Sequence, residues 1–206
     1  MEEAYRAGAV RLRAACRRRV VVELLIGCGS TRERRLAVNG RREWTDLKTL
    51  DNNADHRPDY LHNLNHIPYP FESDTFEEVH GYEILEHLGR QGDYLSFFTQ
   101  FSELWRILKP GGFLAATCPS YRSMWAWGDP SHTRVLTSGT LVFLDQEQYA
   151  LQVGRTPMSD FRFCYKADFK AVWVKEDADT FCFVLQAVKP ARLDMAPALS
   201  AISPQT

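Results

Sequence analysis

The most informative chemistry in this chain begins at Gly27-Cys28-Gly29, which closes a run of apolar residues. Glycines at the end of a strand permit a sharp turn and let a ligand approach bare backbone. About 20 residues further on stands Asp51, at the end of the next apolar segment, where a carboxylate can accept both hydroxyls of a ribose. A lone Gly-x-Gly is a weak signal and an Asx turn would also explain Asp51. The two together, each at a strand end, point to a nucleoside-containing ligand.

A second cluster lies in the stretch CPSYRSMWAWGDPSHTR, residues 118–134. Tyr121, Met124, Trp125 and Trp127 beside Asp129, His132 and Arg134 have the mixed apolar and polar character of a ligand wall. His132, with Asp129 near it, is the candidate general base, because only imidazole changes charge near neutral pH without a large shift. The bland alternative is that the two tryptophans cap the core and Asp129-Pro130 makes a turn.

Other chemistries fit less well. His80, Glu83 and His87 would share a face, as zinc ligands can, only if a helix began before His80. Residues 76–81 read as strand, so no metal site is expected, and Glu86 with His87 reads as a satisfied structural pair. No Gly-x-Ser-x-Gly elbow is present, and Cys28 sits too close to the glycine turn to favour a thiol nucleophile.

These residues need elements to place them. Residues 20–26, with three adjacent valines, suit a buried strand of a parallel sheet. Ser30 with Glu33 matches a capping box, so a helix is expected to open after the glycine turn. Residues 44–50 and 76–81 read as strands, separated by a loop over 52–75. From Tyr94 to Leu108, apolar residues recur every three or four positions, and Pro110-Gly111-Gly112 ends that helix. A strand over 113–118, a helix over 138–152 and an antiparallel pair near 161–175 and 180–188, turning at 176–179, complete the pattern. Alternating strands and helices predict an α/β fold, a Rossmann-like doubly wound and mostly parallel sheet with helices on both faces and an antiparallel C-terminal strand pair. Ligands of such sheets sit at the carboxyl ends of the strands, near the point where strand order reverses. Gly27–Ser30, Asp51, Gly81–Glu83 and Cys118–Ser120 all fall there.

Size and composition set bounds. At 206 residues, 45% hydrophobic and 25% charged, the chain fits one ordinary globular domain, expected over 1–189 with an N-terminal helix at 3–19. The Ala/Pro/Ser tail over 190–206 is expected not to pack. No apolar run approaches the roughly 20 residues that span a bilayer, and the first residues lack the pattern of a secretory signal. Five scattered cysteines without C-x-x-C read as reduced thiols, hence a cytoplasmic setting. Residues 1–42 hold eleven Arg and no Lys against four Glu. A solvated helix face accounts for this, and a nucleic-acid-binding patch is the sharper alternative, though with Tyr5 alone among the arginines stacking on bases is not indicated.

From residue 21 to about 120 the chain resembles the class I S-adenosylmethionine-dependent methyltransferases of small stand-alone type. The segments that carry the likeness are LLIGCGS (24–30), TLDNN (49–53), LNHIPYPFESDTFEEVHGYEILEHL (64–88) and LWRILKPGG (104–112). The LNHIPYPF and WGDPSH stretches further resemble phage and prophage methyltransferase-domain proteins. The resemblance implies S-adenosylmethionine as cofactor. Gly27, Cys28 and Gly29 would face its methionine half, Asp51 its ribose and Asn52 the adenine edge. Asn63 would stand near the adenine amino group with Leu64 giving an apolar contact, and Gly81 and Tyr82 near the sulfonium. Leu25 replaces the usual acidic residue two before the first glycine, with Glu23 two positions further back on the same strand face, and Thr31 replaces a third glycine. The acceptor is expected to be a small molecule or nucleotide. A catalytically inactive binding or scaffold protein of the same fold is the first alternative. A nucleotide- or NAD-binding oxidoreductase is the second, disfavoured because Arg32 stands where a dinucleotide fold wants a small residue.

Overall fold

The computed structural model describes residues 21–193. Its sheet has seven strands: β1 (Val22–Ile26), β2 (Asp46–Asp51), β3 (Tyr60–Leu61), β4 (Phe76–Tyr82), β5 (Leu108–Pro119), β6 (Phe169–Glu176) and β7 (Thr180–Ala187). Their order across the sheet is β3-β2-β1-β4-β5-β7-β6. Strands β1 to β5 run parallel, while β7 is antiparallel to both β5 and β6. The order reverses between β1 and β4, so the crevice of a doubly wound sheet opens where Gly27 and Tyr82 leave their strands.

One face is packed as the sequence pattern demands. Helix α1 (Tyr94–Ile107), capped by Asp93 accepting from Ser96 N, lays Phe97, Phe98, Phe101, Leu104 and Ile107 onto it. They join Leu24, Ile26, Val79, Leu114 and Ala116 from the strands, together with Tyr165 and Phe169, in the main core. Each such side chain contributes about 1.5–3 kcal/mol on burial.

The other face departs from expectation, and no helix follows the glycine turn. Residues 27–45 cross to β2 as irregular chain. The cause is tertiary. On this face β1 presents Glu23 and β4 presents Glu78 and His80, all fully or almost fully buried. A buried carboxylate without a partner is costly. Arg34 supplies the partner, donating to Glu23 at 2.6 Å and to Glu78 at 2.5 Å, with its guanidinium over the Trp44 ring at 4.9 Å. Arg41 pairs with Glu78 as well. These partners draw residues 30–42 flat against the sheet and override a local capping signal. Leu36, Val38 and Trp44 fill the remaining space over Leu25, Ala115 and Val184.

Smaller corrections follow the same logic. The helix expected over 138–152 is two, α3 (Ser138–Val142) and α4 (Gln146–Gln152). The break frees the Leu144 carbonyl to accept from Phe169 N and the Tyr165 hydroxyl. Residues 161–168 do not join a strand, because a turn closed on the Phe161 carbonyl buries Tyr165 and Ala167 instead. The expected non-packing tail does not begin at 190. Arg192 pairs with Asp145, Glu147 and the fully buried Asp168. The helix expected at 3–19 and the tail from 194 onward lie outside the described residues. The four described cysteines are unpaired. Among the described residues no helix is long and apolar enough to cross a membrane.

Candidate functional site

The two halves of the expected pocket meet. The Gly29 N–H donates to Asp51 Oδ2 at 2.9 Å, and the Asn53 N–H donates to Oδ1 at 2.8 Å. His56 Nδ1, from the short helical turn Ala54–His56 after β2, lies 3.3 Å from Oδ1. Burial would raise the pKa of Asp51, but the Asn53 and Gly29 amides and the His56 ring outweigh it and hold the carboxyl below its ordinary value. Asp51 is thus a fixed anion with free lone pairs at the end of β2.

Both glycines have left-handed backbone, with φ of 58° at Gly27 and 55° at Gly29. Their surroundings differ. A Cβ on Gly27 would stand 2.4 Å from Ile84 Cγ1, so this glycine serves close packing against the chain leaving β4. A Cβ on Gly29 would meet nothing within 4 Å. The open backbone that a ligand needs is therefore at Gly29, directly beside the carboxylate. Cys28 is buried, and its thiol pKa is raised by burial and by Asp51, which leaves it a poor nucleophile.

The remaining expected positions fall near this edge with different duties. Asn52 is exposed next to Asp51. Asn63 Oδ1 accepts from Asn65 N, holding its own turn, and Leu64 is buried in the main core. Gly81 sits between Ile84 and Ile26 at the end of β4. The Tyr82 hydroxyl points away from the crevice, beneath the sheet, where it meets His80 Nδ1 at 2.7 Å and accepts from Leu36 N at 3.3 Å. Glu23 is consumed by Arg34 and by the amides of Thr45 and Asp46, so it has no part in the crevice. Arg32 donates to the carbonyls of His56 and Arg57, clamping the glycine turn to the segment after β2. With no helix N-terminus behind the glycines, the groups that hold a pyrophosphate in dinucleotide folds are missing here.

Of the arginines in the basic stretch, Arg32, Arg34 and Arg41 are spent on carbonyls and carboxylates within the chain, while those at positions 6–19 lie outside the described residues.

Next to the crevice, the residues after β4 and β5 converge. Glu83 takes positive φ, 53°, and its N–H reaches the Thr117 carbonyl. Glu86 is 2% exposed, yet neither carboxylate oxygen has a hydrogen-bond donor. Burial, with Glu83 adding to it, pushes its pKa up to about 8. The expectation that Glu86 and His87 form a satisfied pair is therefore wrong. Thr117 Oγ1 and His132 Nδ1 are also buried without partners. His132 Nε2 stands 3.8 Å from Asp129 and 4.0 Å from Glu86. This concentration of unspent polar atoms was not visible in sequence, because three chain segments contribute to it.

The loop after β5 bears on this cluster. Helix α2 (Met124–Gly128) carries Met124, Trp125 and Trp127 at 73%, 61% and 69% exposure. The tryptophans do not cap the core; they and Tyr121 are exposed on this loop.

No family model and no curated protein matches the chain. Solved structures do. The N-methyltransferase NodS from Bradyrhizobium japonicum WM9 is 14% identical, with a TM-score of 0.50 over 82% of this chain and 87% of that one. A SAM-dependent methyltransferase from Archaeoglobus fulgidus is 11% identical, with a TM-score of 0.49 over 81% and 86%. One from Methanosarcina mazei is 16% identical, with a TM-score of 0.47 over 82% and 92%. The likeness is one of fold. A seven-stranded, mostly parallel α/β sheet with antiparallel C-terminal strands is the Rossmann-like architecture of such methyltransferases. A shared fold does not assign an activity, which has to come from the site.

Proposed function

We propose that the chain transfers a methyl group from S-adenosylmethionine to an unidentified acceptor, a small molecule or a nucleotide. The observation that carries this reading is the link from Gly29 to Asp51 with open space above the glycine. A carboxylate held by backbone amides suits two ribose hydroxyls, and open backbone beside it suits the rest of an adenosyl group. Asn52 and the Asn63–Leu64 turn would flank the adenine, and the backbone of Gly27, Cys28, Gly81 and Tyr82 the methionine half and sulfonium. With Glu23 consumed by Arg34, the cofactor's amino group must be met by backbone carbonyls at the glycine turn.

Methyl transfer from a sulfonium is an in-line displacement, in which alignment contributes about 7–11 kcal/mol in favourable cases. The exposed side chains of Tyr121, Trp125 and Trp127 are the surface for aligning an acceptor. His132 and Asp129 stand beside it to deal with the acceptor's proton.

Calorimetric titration with S-adenosylmethionine, S-adenosylhomocysteine and NAD tests the cofactor. Saturable binding of the first two without NAD is expected, and NAD binding alone would sink the reading. An inactive scaffold, which the loss of Glu23 from the crevice favours, would bind S-adenosylmethionine without generating S-adenosylhomocysteine from any extract.

A further inference from the structure

Glu86, His87 and His132 come from the turn Leu85–His87 after β4 and from the loop after α2. One ligand atom from each lies within 4.8 Å of the others. The backbone fixes this meeting, because Thr133 N and Arg134 N both donate to the Glu86 carbonyl, at 2.8 and 3.1 Å. The two imidazoles stand edge to face with centroids 4.7 Å apart.

Three observations give the cluster a direction. Glu86 is buried and both its oxygens lack a donor. His87 Nδ1 lies 3.2 Å from the Ser131 carbonyl and can only donate to it, which leaves Nε2 with its lone pair free. The other ring nitrogen of a metal-bound histidine is held in this way. Finally, His132 Nδ1 is buried without a partner, and Asp129 faces the same ring, locked by Ser131 N and Oγ at 2.8 and 2.6 Å.

We propose that Glu86, His87 and His132 bind one divalent first-row transition-metal ion. Two imidazoles and a carboxylate suit zinc, manganese, iron or cobalt and disfavour magnesium or calcium, which take oxygen ligands. Tetrahedral bonds of about 2.0–2.2 Å to nitrogen and oxygen set ligand atoms about 3.3–3.6 Å apart, so the three side chains, now within 4.8 Å of one another, must close by up to about 1.5 Å. Three protein ligands leave positions open for water or a ligand. In this assignment His132 is a ligand and not a free base. The site stands on its own geometry, so it can hold whether or not methyl transfer does.

The experiment uses the full chain, freed of any affinity tag and stripped with a chelator, then titrated with cobalt(II) and zinc(II). One equivalent of cobalt should bind, with visible absorption bands of a nitrogen- and oxygen-ligated ion and a raised unfolding temperature. His87→Ala, His132→Ala and Glu86→Gln should each weaken binding at least tenfold, while His66→Ala, at an exposed position elsewhere, should not. Glu86→Gln retains the shape of the side chain, so it keeps the test valid if an alanine variant folds poorly. Absence of saturable binding below millimolar metal overturns the proposal. So does equal affinity in the wild type and the Glu86→Gln and His132→Ala variants, which would place the ion elsewhere.

Discussion

The Gly29 amide and the Asp51 carboxylate, joined at 2.9 Å, fasten the end of β1 to the end of β2. The bond does two things at once. It fixes the carboxylate for a ligand, and it holds the glycine turn in a left-handed conformation that leaves its upper side bare.

Asp51→Ala should therefore weaken S-adenosylmethionine binding by tenfold to a hundredfold, about 1.5–3 kcal/mol for the charged hydrogen bonds lost. Asp51→Asn should fall between the two. Calorimetry on all three proteins checks this, and unchanged affinity in the alanine variant would remove Asp51 from the pocket.

The two glycines should respond differently to alanine. At Gly29 the new methyl meets open space, so the cost is the left-handed backbone alone, about 1–2 kcal/mol, with cofactor affinity falling more than stability. At Gly27 the methyl also collides with Ile84, so the unfolding midpoint should drop well beyond that. Denaturant curves paired with calorimetry separate the two effects.

Arg34→Met should be among the most damaging substitutions away from the crevice. It leaves the buried Glu23 with backbone amides but no cation, and Glu78 with Arg41 as its remaining arginine, a loss of about 3–5 kcal/mol. Adding Glu23→Leu and Glu78→Leu to that variant should recover much of the loss, since an apolar set has no charge to desolvate. Urea unfolding of the single and triple variants measures both.

His80 supplies a pH signature. Burial and the neighbouring Arg34 push its pKa down to about 3, while the unfolded chain takes up that proton near 6.5. The unfolded state thus binds more protons between those values, so His80 lowers stability progressively as pH falls from about 6.5 to about 3 and has no effect above. Glu23, Glu78, Arg34, Arg41 and the Tyr82 hydroxyl surround it, so the wild type alone would mix several titrations. Unfolding free energy of wild type minus His80→Gln, measured across that range, isolates the histidine. A flat difference would show that the buried ring is already charged in the folded chain.

Trp127→Ala and Trp125→Ala should leave cofactor affinity untouched, because both side chains are exposed on the loop beyond β5. Once an acceptor is known, its KM should rise about tenfold in at least one of them. Full activity in both variants would assign these aromatic side chains to another partner.

How much of this was legible beforehand follows from the range of the forces involved. Strand and helix periodicity in β1, α1 and β5 depends on which residues are apolar along a short stretch, and sequence displays that directly. The glycine turn and Asp51 were legible too, since a strand end and the next strand end must be neighbours in a parallel sheet. The missing helix after Gly29 was not, because Arg34 answers to carboxylates on two strands that are distant in the chain. The joining of Glu86, His87 and His132 was hidden for the same reason: 45 residues separate His87 from His132. Sequence by itself determined the fold class and the place of the crevice. Tertiary structure alone decided which charges are spent on holding the sheet together and which are left unpaired beside the site, because burial is a property of the packed chain and not of any segment of it.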